Sequence, residues 1–316
     1  MRRYLIRRLA ALPVIIVAVS AITFFTLRAP WVGDPAIVMA GQNAPPSQIA
    51  AVRRELGLDR PLVVQFGSWV AHLARGDFGR TFRGRQPVWP EVRRRMPITF
   101  EEVALSLFFG MFFGVLYGVV SAVKYRSLPD YGLRLFAVFG QSIPGFFLLV
   151  LLIVLPSLWW NYSPPSGAGH GLFQNPLQNL RLLVPPTLML AVAHSAGLLR
   201  LTRSTLLNVL NQDYIRTAKA KGLSERMVVL RHALRNSMIP IVTLLGIGVA
   251  DLFFGALILE RIFSINGLGQ FFYDSVLARD FPVVQFLVVY TATIVVLINL
   301  VVDLSYVVLD PRIRYR

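Results

Sequence analysis

Six long stretches of this 316-residue chain are apolar and almost free of charge, and they constrain its fold more than any other feature. Residues 9–27, 103–123, 135–160, 182–199 and 283–302 contain no Asp, Glu, Lys or Arg, and 238–259 contains one acid, Asp251. A helix rises about 1.5 Å per residue, so about 20 residues cross the roughly 30 Å hydrocarbon core of a bilayer. Six such stretches exceed what the buried helices of a soluble domain supply. The chain is expected to be an all-α polytopic membrane protein with six transmembrane helices.

The first stretch follows Arg2, Arg3, Arg7 and Arg8, a pattern it shares with secretory signal peptides. A signal h-region runs only about 7–15 residues and ends in a small-x-small cleavage site. Residues 9–27 are longer, and Phe24-Phe25-Thr26-Leu27-Arg28 offers no such site, so they read as a retained first span. Positive charge sets the orientation. With a cytoplasmic N-terminus, the inside segments carry 18 Lys and Arg, against Arg181, Arg261 and Arg279 in the short outside loops. The other 11 lie in residues 28–97, and a loop longer than about 60 residues is translocated whatever its charge. Both termini are therefore expected inside. The net charge of +16 then serves as an orientation label and calls for no nucleic-acid partner. With no Cys in the sequence, a disulfide framework, a thiol nucleophile and a Cys-ligated metal are excluded.

The chain is thus expected to comprise a first helix over 1–27, an extracytoplasmic helical segment over 28–97 and a five-helix core over 98–316. In the second segment Ser47 reads as an N-cap with Ile49, Val52 and Leu56 on one face and Gly57 as the stop. Pro61 opens another helix, with Leu62, Phe66, Trp69, Val70 and Leu73 on its apolar face and Gly76 at its end. Such a segment either covers the helix ends or offers a docking surface to an external partner.

The inside loop over about 200–237 is of a different kind. Arg203 to Ala220 is helix-forming, Gly222 interrupts as a C′ glycine would, and Ser224 with Glu225 starts a second short amphipathic helix. Helical spacing continues through Met227, Val228, Leu230, Leu234 and Met238. Too short and too charged to span, that helix lies along the membrane interface or docks into a partner.

The run Asp213-Tyr214-Ile215-Arg216-Thr217-Ala218-Lys219-Ala220-Lys221-Gly222-Leu223-Ser224-Glu225, with Arg231-His232-Ala233-Leu234-Arg235-Asn236 and Ile239-Pro240 after it, resembles the "EAA" loop. That loop belongs to the membrane-spanning subunits of binding-protein-dependent ABC importers. This version is similar to the B-type permeases of the dipeptide/oligopeptide/nickel subfamily. Leu56-Gly57-Leu58-Asp59-Arg60-Pro61, Arg75-Gly76-Asp77-Phe78-Gly79-Arg80-Thr81-Phe82 and Arg95-Met96-Pro97-Ile98-Thr99 agree with it. So do Gly267-Leu268-Gly269, Arg279-Asp280-Phe281-Pro282, Asn299-Leu300, Asp303 and Asp310-Pro311-Arg312-Ile313-Arg314, so the likeness runs end to end. One departure stands out: Arg216 occupies the place of the generic glutamate, six residues before the glycine.

The resemblance implies a MetI-like permease fold of the type I importers in a bacterial or archaeal inner membrane. It implies a second permease chain, two cytoplasmic ATPase subunits or domains and an extracytoplasmic solute-binding protein. ATP and Mg would sit on the ATPase subunits, with no cofactor on this chain. It assigns ATPase coupling to Thr217, Ala218, Lys221, Gly222, Leu223, Ser224 and Glu225, and peptides are the favoured cargo. Consistent with that division of labour, no Gly-x4-Gly-Lys-Ser/Thr phosphate loop occurs in the sequence.

Ionisable groups inside spans are costly and suggest function by default. His194 and Asp251 are the candidates for the substrate path, the alternative for His194 being structural packing. A cavity-facing position suits Asp251 better than a lipid-facing one, whereas Glu260 and Asp303 lie near span ends and read as structural. Gly110, Gly114 and Gly118 form a small-residue stripe suited to close helix packing. No catalytic or metal set is evident: Gly140-Gln141-Ser142-Ile143-Pro144-Gly145 is one residue too long for a nucleophile elbow, and His72, His170, His194 and His232 do not cluster. A self-sufficient secondary transporter or channel, using Asp251 and His194 as ion or proton sites, is the alternative reading. Folds of that class usually show duplicated halves, and no internal repeat is evident here.

Overall fold

The computed structural model describes residues 2–41, 43–82, 84–167 and 175–309. His170, the stretch Asp310-Pro311-Arg312-Ile313-Arg314 and the side chain of Asp303 lie outside the described residues. The described chain is helical: α1 Arg2–Leu27, α2 Pro35–Ala40, α3 Pro46–Glu55, α4 Leu62–Ala74, α5 Val88–Val123, α6 Leu128–Ser142 and α7 Gly145–Trp160. After these come α8 Pro176–Leu210, α9 Asp213–Ala220, α10 Glu225–Met227, a π-helical turn Val228–Ala233, α11 Leu234–Ile262, α12 Leu268–Leu277 and α13 Phe281–Leu309. Among the described residues five helices are long and apolar enough to cross a membrane, and the bent pair α6 and α7, counted as one span, brings the number to six.

The apolar stretch 135–160, in which Pro144 suits a kinked helix, is broken far more sharply than a kink. The two helices meet at 100° around Ile143, whose extended backbone (φ −89°, ψ 123°) is what a residue before proline prefers. Polar flanks also hide how far two helices extend. Hydropathy marks 103–123 and 182–199, whereas α5 begins at Val88 and α8 runs on to Leu210.

The chain divides into two compact units. One comprises residues 2–97 and 267–297, the other 98–266 and 298–309. In the first, the 28–97 segment holds three short helices where the sequence pattern indicates two. The additional one, α2, begins with Asp34, whose carboxylate accepts from the Ala36 N–H at 2.9 Å, and with Pro35 at its first position. Ser47 is not the N-cap of α3, because Pro45 holds that position and Pro46 starts the helix. Gly57 and Gly76 do end α3 and α4, both at positive φ (64° and 80°). At each end a six-to-one bond closes a Schellman motif, Leu58 N–H to the Arg53 carbonyl and Asp77 N–H to that of His72, both at 3.0 Å. On α4 the buried residue is Gln65, while Leu62, Val63 and Val64 are exposed. A core of Val88, Val92, Leu268, Val283, Phe286 and Leu287 ties the start of α5 to α12 and α13 within this unit.

In the second unit α8 is the central helix, with thirteen buried residues along its length. The glycine stripe packs directly on it. A Cβ at Gly114 would stand 2.5 Å from Leu198 Cβ, and one at Gly118 2.5 Å from Thr202 Cβ. Gly118→Val should therefore force α5 and α8 apart, a core overpacking that costs about 1–3 kcal/mol and is readable as a lowered melting temperature. Glu260, near a span end, is wholly buried and accepts the Thr99 hydroxyl hydrogen at 2.6 Å.

Candidate functional site: the elbow between two spans

The segment between α8 and α11 is built as a rigid elbow. α9 ends at Ala220, with Lys221 as C-cap and Gly222 at φ +78°. The Gly222 N–H donates to the Lys219 carbonyl at 3.0 Å, and the Leu223 N–H to the Ala218 carbonyl at 3.4 Å. Those two bonds are the paired bonds of a Schellman cap, and the side chain of Leu223 folds back as the motif requires. A Cβ at Gly222 would meet nothing within 4 Å, so glycine serves backbone conformation there and not space.

The elbow is fixed to the helices beneath it by a core of Ala122, Leu206, Ile215, Ala218, Val228, Val229 and Ala233, with Leu223 packed against it. The π-helical turn explains how Val228 and Ala233 share that side. Bonds from i to i+5 stack residues five apart, whereas an α-helix stacks those three or four apart. The turn thereby interrupts the steady α-helical spacing expected through Met227, Val228, Leu230, Leu234 and Met238.

Of the residues assigned to coupling, Ala218 and Leu223 point inward, and Thr217, Lys221, Gly222, Ser224 and Glu225 are exposed. Thr217 returns its hydroxyl to the Asp213 carbonyl at 3.1 Å. Ser224 occupies the N-cap position of α10, yet its side chain makes no cap hydrogen bond. Arg216, in place of the generic glutamate, lies exposed beside Asp213 at 3.4 Å. Around this rim Tyr214, Met227 and Leu230 are 44%, 42% and 47% exposed, large apolar groups presented by a rigid mount. Sequence reasoning does not single them out for coupling, because each also fits the apolar stripe of a helix.

A second feature escapes the sequence altogether. Asp130, wholly buried at the start of α6, binds Arg203 of α8 through two parallel bonds of 2.8 and 2.9 Å. The Ser121 hydroxyl at 2.6 Å and the Arg126 N–H at 3.0 Å also donate to the carboxylate. This bidentate clamp holds α5, α6 and α8 together next to the elbow.

The two candidate path residues sit on different helices, His194 on α8 and Asp251 on α11, and are placed differently. His194 is half-buried on α8, its ring lying so close over Gly248 of α11 that a Cβ there would collide with it, and its Cβ lies against Gly110 of α5. Asp251, three residues beyond Gly248, is exposed, while Leu252 and Phe253 beside it are buried. The acid thus stands on the face of α11 that this chain leaves uncovered. Neither group forms a hydrogen bond or ion pair among the described residues, and no three His, Asp or Glu side chains converge as metal ligands there.

The chain is similar to known proteins over its whole length. Residues 1–103 match the N-terminal family model of the binding-protein-dependent transport system membrane component. Residues 114–315 match the model of the binding-protein-dependent transport system inner membrane component. A protein of Brucella abortus (strain 2308) named as a peptide transport system permease is 39% identical, with both chains fully covered. The dipeptide transport system permease protein DppB of Escherichia coli (strain K12) is 37% identical, again covering all of both chains. The glutathione transport system permease protein GsiC of Salmonella choleraesuis (strain SC-B67) is 38% identical over the full length of each. Among solved structures, an inward-facing conformation of the MetNI methionine ABC transporter superposes with a TM-score of 0.55 at 19% identity. It covers 70% of this chain and 96% of that one, which supports the permease fold. From its first span to its last, this chain belongs to the family of inner-membrane components of binding-protein-dependent transport systems.

Proposed function

We propose that the chain is one of two permease subunits of an ATP-driven importer and forms half of the path along which peptides cross the inner membrane. In this reading both termini and the elbow at Gly222 face the cytoplasm, as the distribution of Lys and Arg favours, and residues 28–97 face outward. The elbow seats in a separate ATPase subunit that carries ATP and Mg, a second copy of which serves the partner permease. A binding protein delivers the solute from outside. Asp251, on the uncovered face of α11, lines the path opposite the partner permease, where it can meet a cationic group such as a peptide amino terminus. His194 supports that face from behind.

Peptides as cargo rest on the relatives named for peptide, dipeptide and glutathione transport. A self-sufficient transporter is disfavoured by membership of a family that works with binding proteins.

The observation that carries coupling is the rim of Tyr214, Met227 and Leu230 on a mount locked by buried Ile215, Ala218, Val228 and Val229. Closure of an ATPase pair can move helices as rigid bodies only through a contact that does not itself give way. Met227→Glu with Leu230→Glu changes exposed positions alone, so the chain should fold normally while the ATPase subunit no longer co-purifies. In reconstituted complexes, ATP turnover stimulated by the binding protein and a dipeptide should fall at least tenfold. Solute movement down an ion gradient by this chain alone would overturn the proposal.

A further inference from the structure

The first unit contains a cavity of about 320 Å³ with a mixed wall, apolar at Trp69, Phe78 and Pro282, and Arg28 in that wall has no ion-pair partner among the described residues. Arg28 directly succeeds the last residue of α1, and its guanidinium carbon stands 4.0 Å from the centre of the Phe24 ring. Its Nε is buried without a hydrogen-bond partner among the described residues. Two of the acids nearby are already ion-paired, and the third, Asp77, caps its own turn. Asp34 is paired with Arg53, Glu55 with Arg85 at 3.0 Å, and Asp77 accepts the Gly79 N–H at 3.1 Å.

Two amides in the same wall are also incompletely satisfied. Gln285, only 4% exposed, has an Nε2 without a partner among the described residues. Gln65 uses its Nε2 on the carbonyls of Leu58 (3.2 Å) and Arg60 (2.8 Å), which fixes its amide and leaves Oε1 as a buried acceptor with nothing to accept. Burial pushes the Arg28 guanidinium down to about 10, so it still carries its charge at neutral pH. A half-buried charge and buried amide groups left unpaired are costly, and a ligand that satisfies all three recovers that cost. The volume is that of a small-molecule site.

We propose that this cavity binds a small organic oxyanion that also carries an N–H donor. Its carboxylate or phosphate rests on Arg28 and the Gln285 amide, and its donor on Gln65 Oε1. An amino acid or short peptide has this chemistry, and so does the phosphoethanolamine headgroup of a phospholipid. None of its lining residues is assigned to coupling or to the path, so the proposal stands or falls independently of the transport reading.

The test uses the full transport complex, delipidated in detergent and titrated calorimetrically with alanyl-alanine and with O-phosphoethanolamine. In parallel, its melting temperature is compared in nanodiscs of phosphatidylethanolamine and of phosphatidylcholine, whose headgroup lacks an N–H. Saturable binding of a soluble probe identifies a solute site. Stabilisation by phosphatidylethanolamine alone identifies a headgroup site. Either effect should weaken at least tenfold, or disappear, in Arg28→Gln. Gln285→Glu sets a carboxylate in the wall with Arg28, so it should abolish binding and raise the melting temperature of the ligand-free complex. This second variant keeps the test decisive if Arg28→Gln fails to fold. Binding that survives both substitutions, or no effect of any probe on the parent complex, would overturn the proposal.

Discussion

Arg203→Met should destabilise the folded chain by about 3–5 kcal/mol, because it strands the Asp130 carboxylate in a buried site without its cation. Asp130 is 0% exposed and the Arg203 side chain only 18%, so water replaces the lost partner poorly. The remaining donors, the Ser121 hydroxyl and the Arg126 N–H, solvate the carboxylate only in part. The double change Asp130→Asn with Arg203→Met removes both charges and should recover most of the loss. Melting curves of the purified complex for the two singles and the double form a cycle that isolates the pair. A double variant no more stable than Arg203→Met would show that the methionine damages packing and that the ion pair is incidental. The clamp joins the helices that carry the elbow, so the single variant should also lower transport in cells in proportion to the complex that survives.

Gly222→Pro should cut transport more than tenfold while leaving the spans intact. Proline fixes φ near −65°, whereas residue 222 sits at +78°, and it removes the N–H that caps α9 through the Lys219 carbonyl. Leu223 then loses its seat on the core, and the rim of Tyr214, Met227 and Leu230 loses its fixed aim. Gly222→Ala is the informative control. No atom obstructs a Cβ there, so only the left-handed backbone is penalised, by about 1–2 kcal/mol. It should keep most of its activity. Both are read as ATP turnover stimulated by the binding protein, alongside dipeptide uptake into proteoliposomes. A proline variant as active as the parent would mean that the elbow transmits no force.

Features whose cause is local are legible in the sequence. The apolar stretches reflect the thickness of a bilayer, and the glycines at 57, 76 and 222 reflect what a helix end demands of its backbone. The elbow can therefore be placed to the residue. Features that arise from partners distant in the chain are not legible. Arg203 looks like any other basic residue of its loop, and nothing near it announces Asp130, 73 positions earlier. Gln65 lies on a helix whose apolar spacing points to Leu62 and Phe66 as the inward face, yet its amide finds two carbonyls in the preceding turn and is drawn inside. Hydropathy is also blind to helix that continues beyond the membrane, which is why α5 and α8 exceed the stretches it marks. The break at Ile143 is signalled by Pro144, but a proline alone does not distinguish a kink from a right-angled corner.

The π turn at Val228–Ala233 carries one residue more than an α-helix of the same rise would need. That surplus acts as a phase shift of about 100° between the helix before it and the helix after it. Upstream of it the chain keeps time with the elbow, and downstream with the membrane span, and no single helical wheel describes both. Residues 228–233 therefore behave as an indivisible unit of length. In a chimera that grafts this elbow onto another permease, a junction inside the turn would aim the transplanted rim at the wrong bearing, whereas one placed after Ala233 would preserve it.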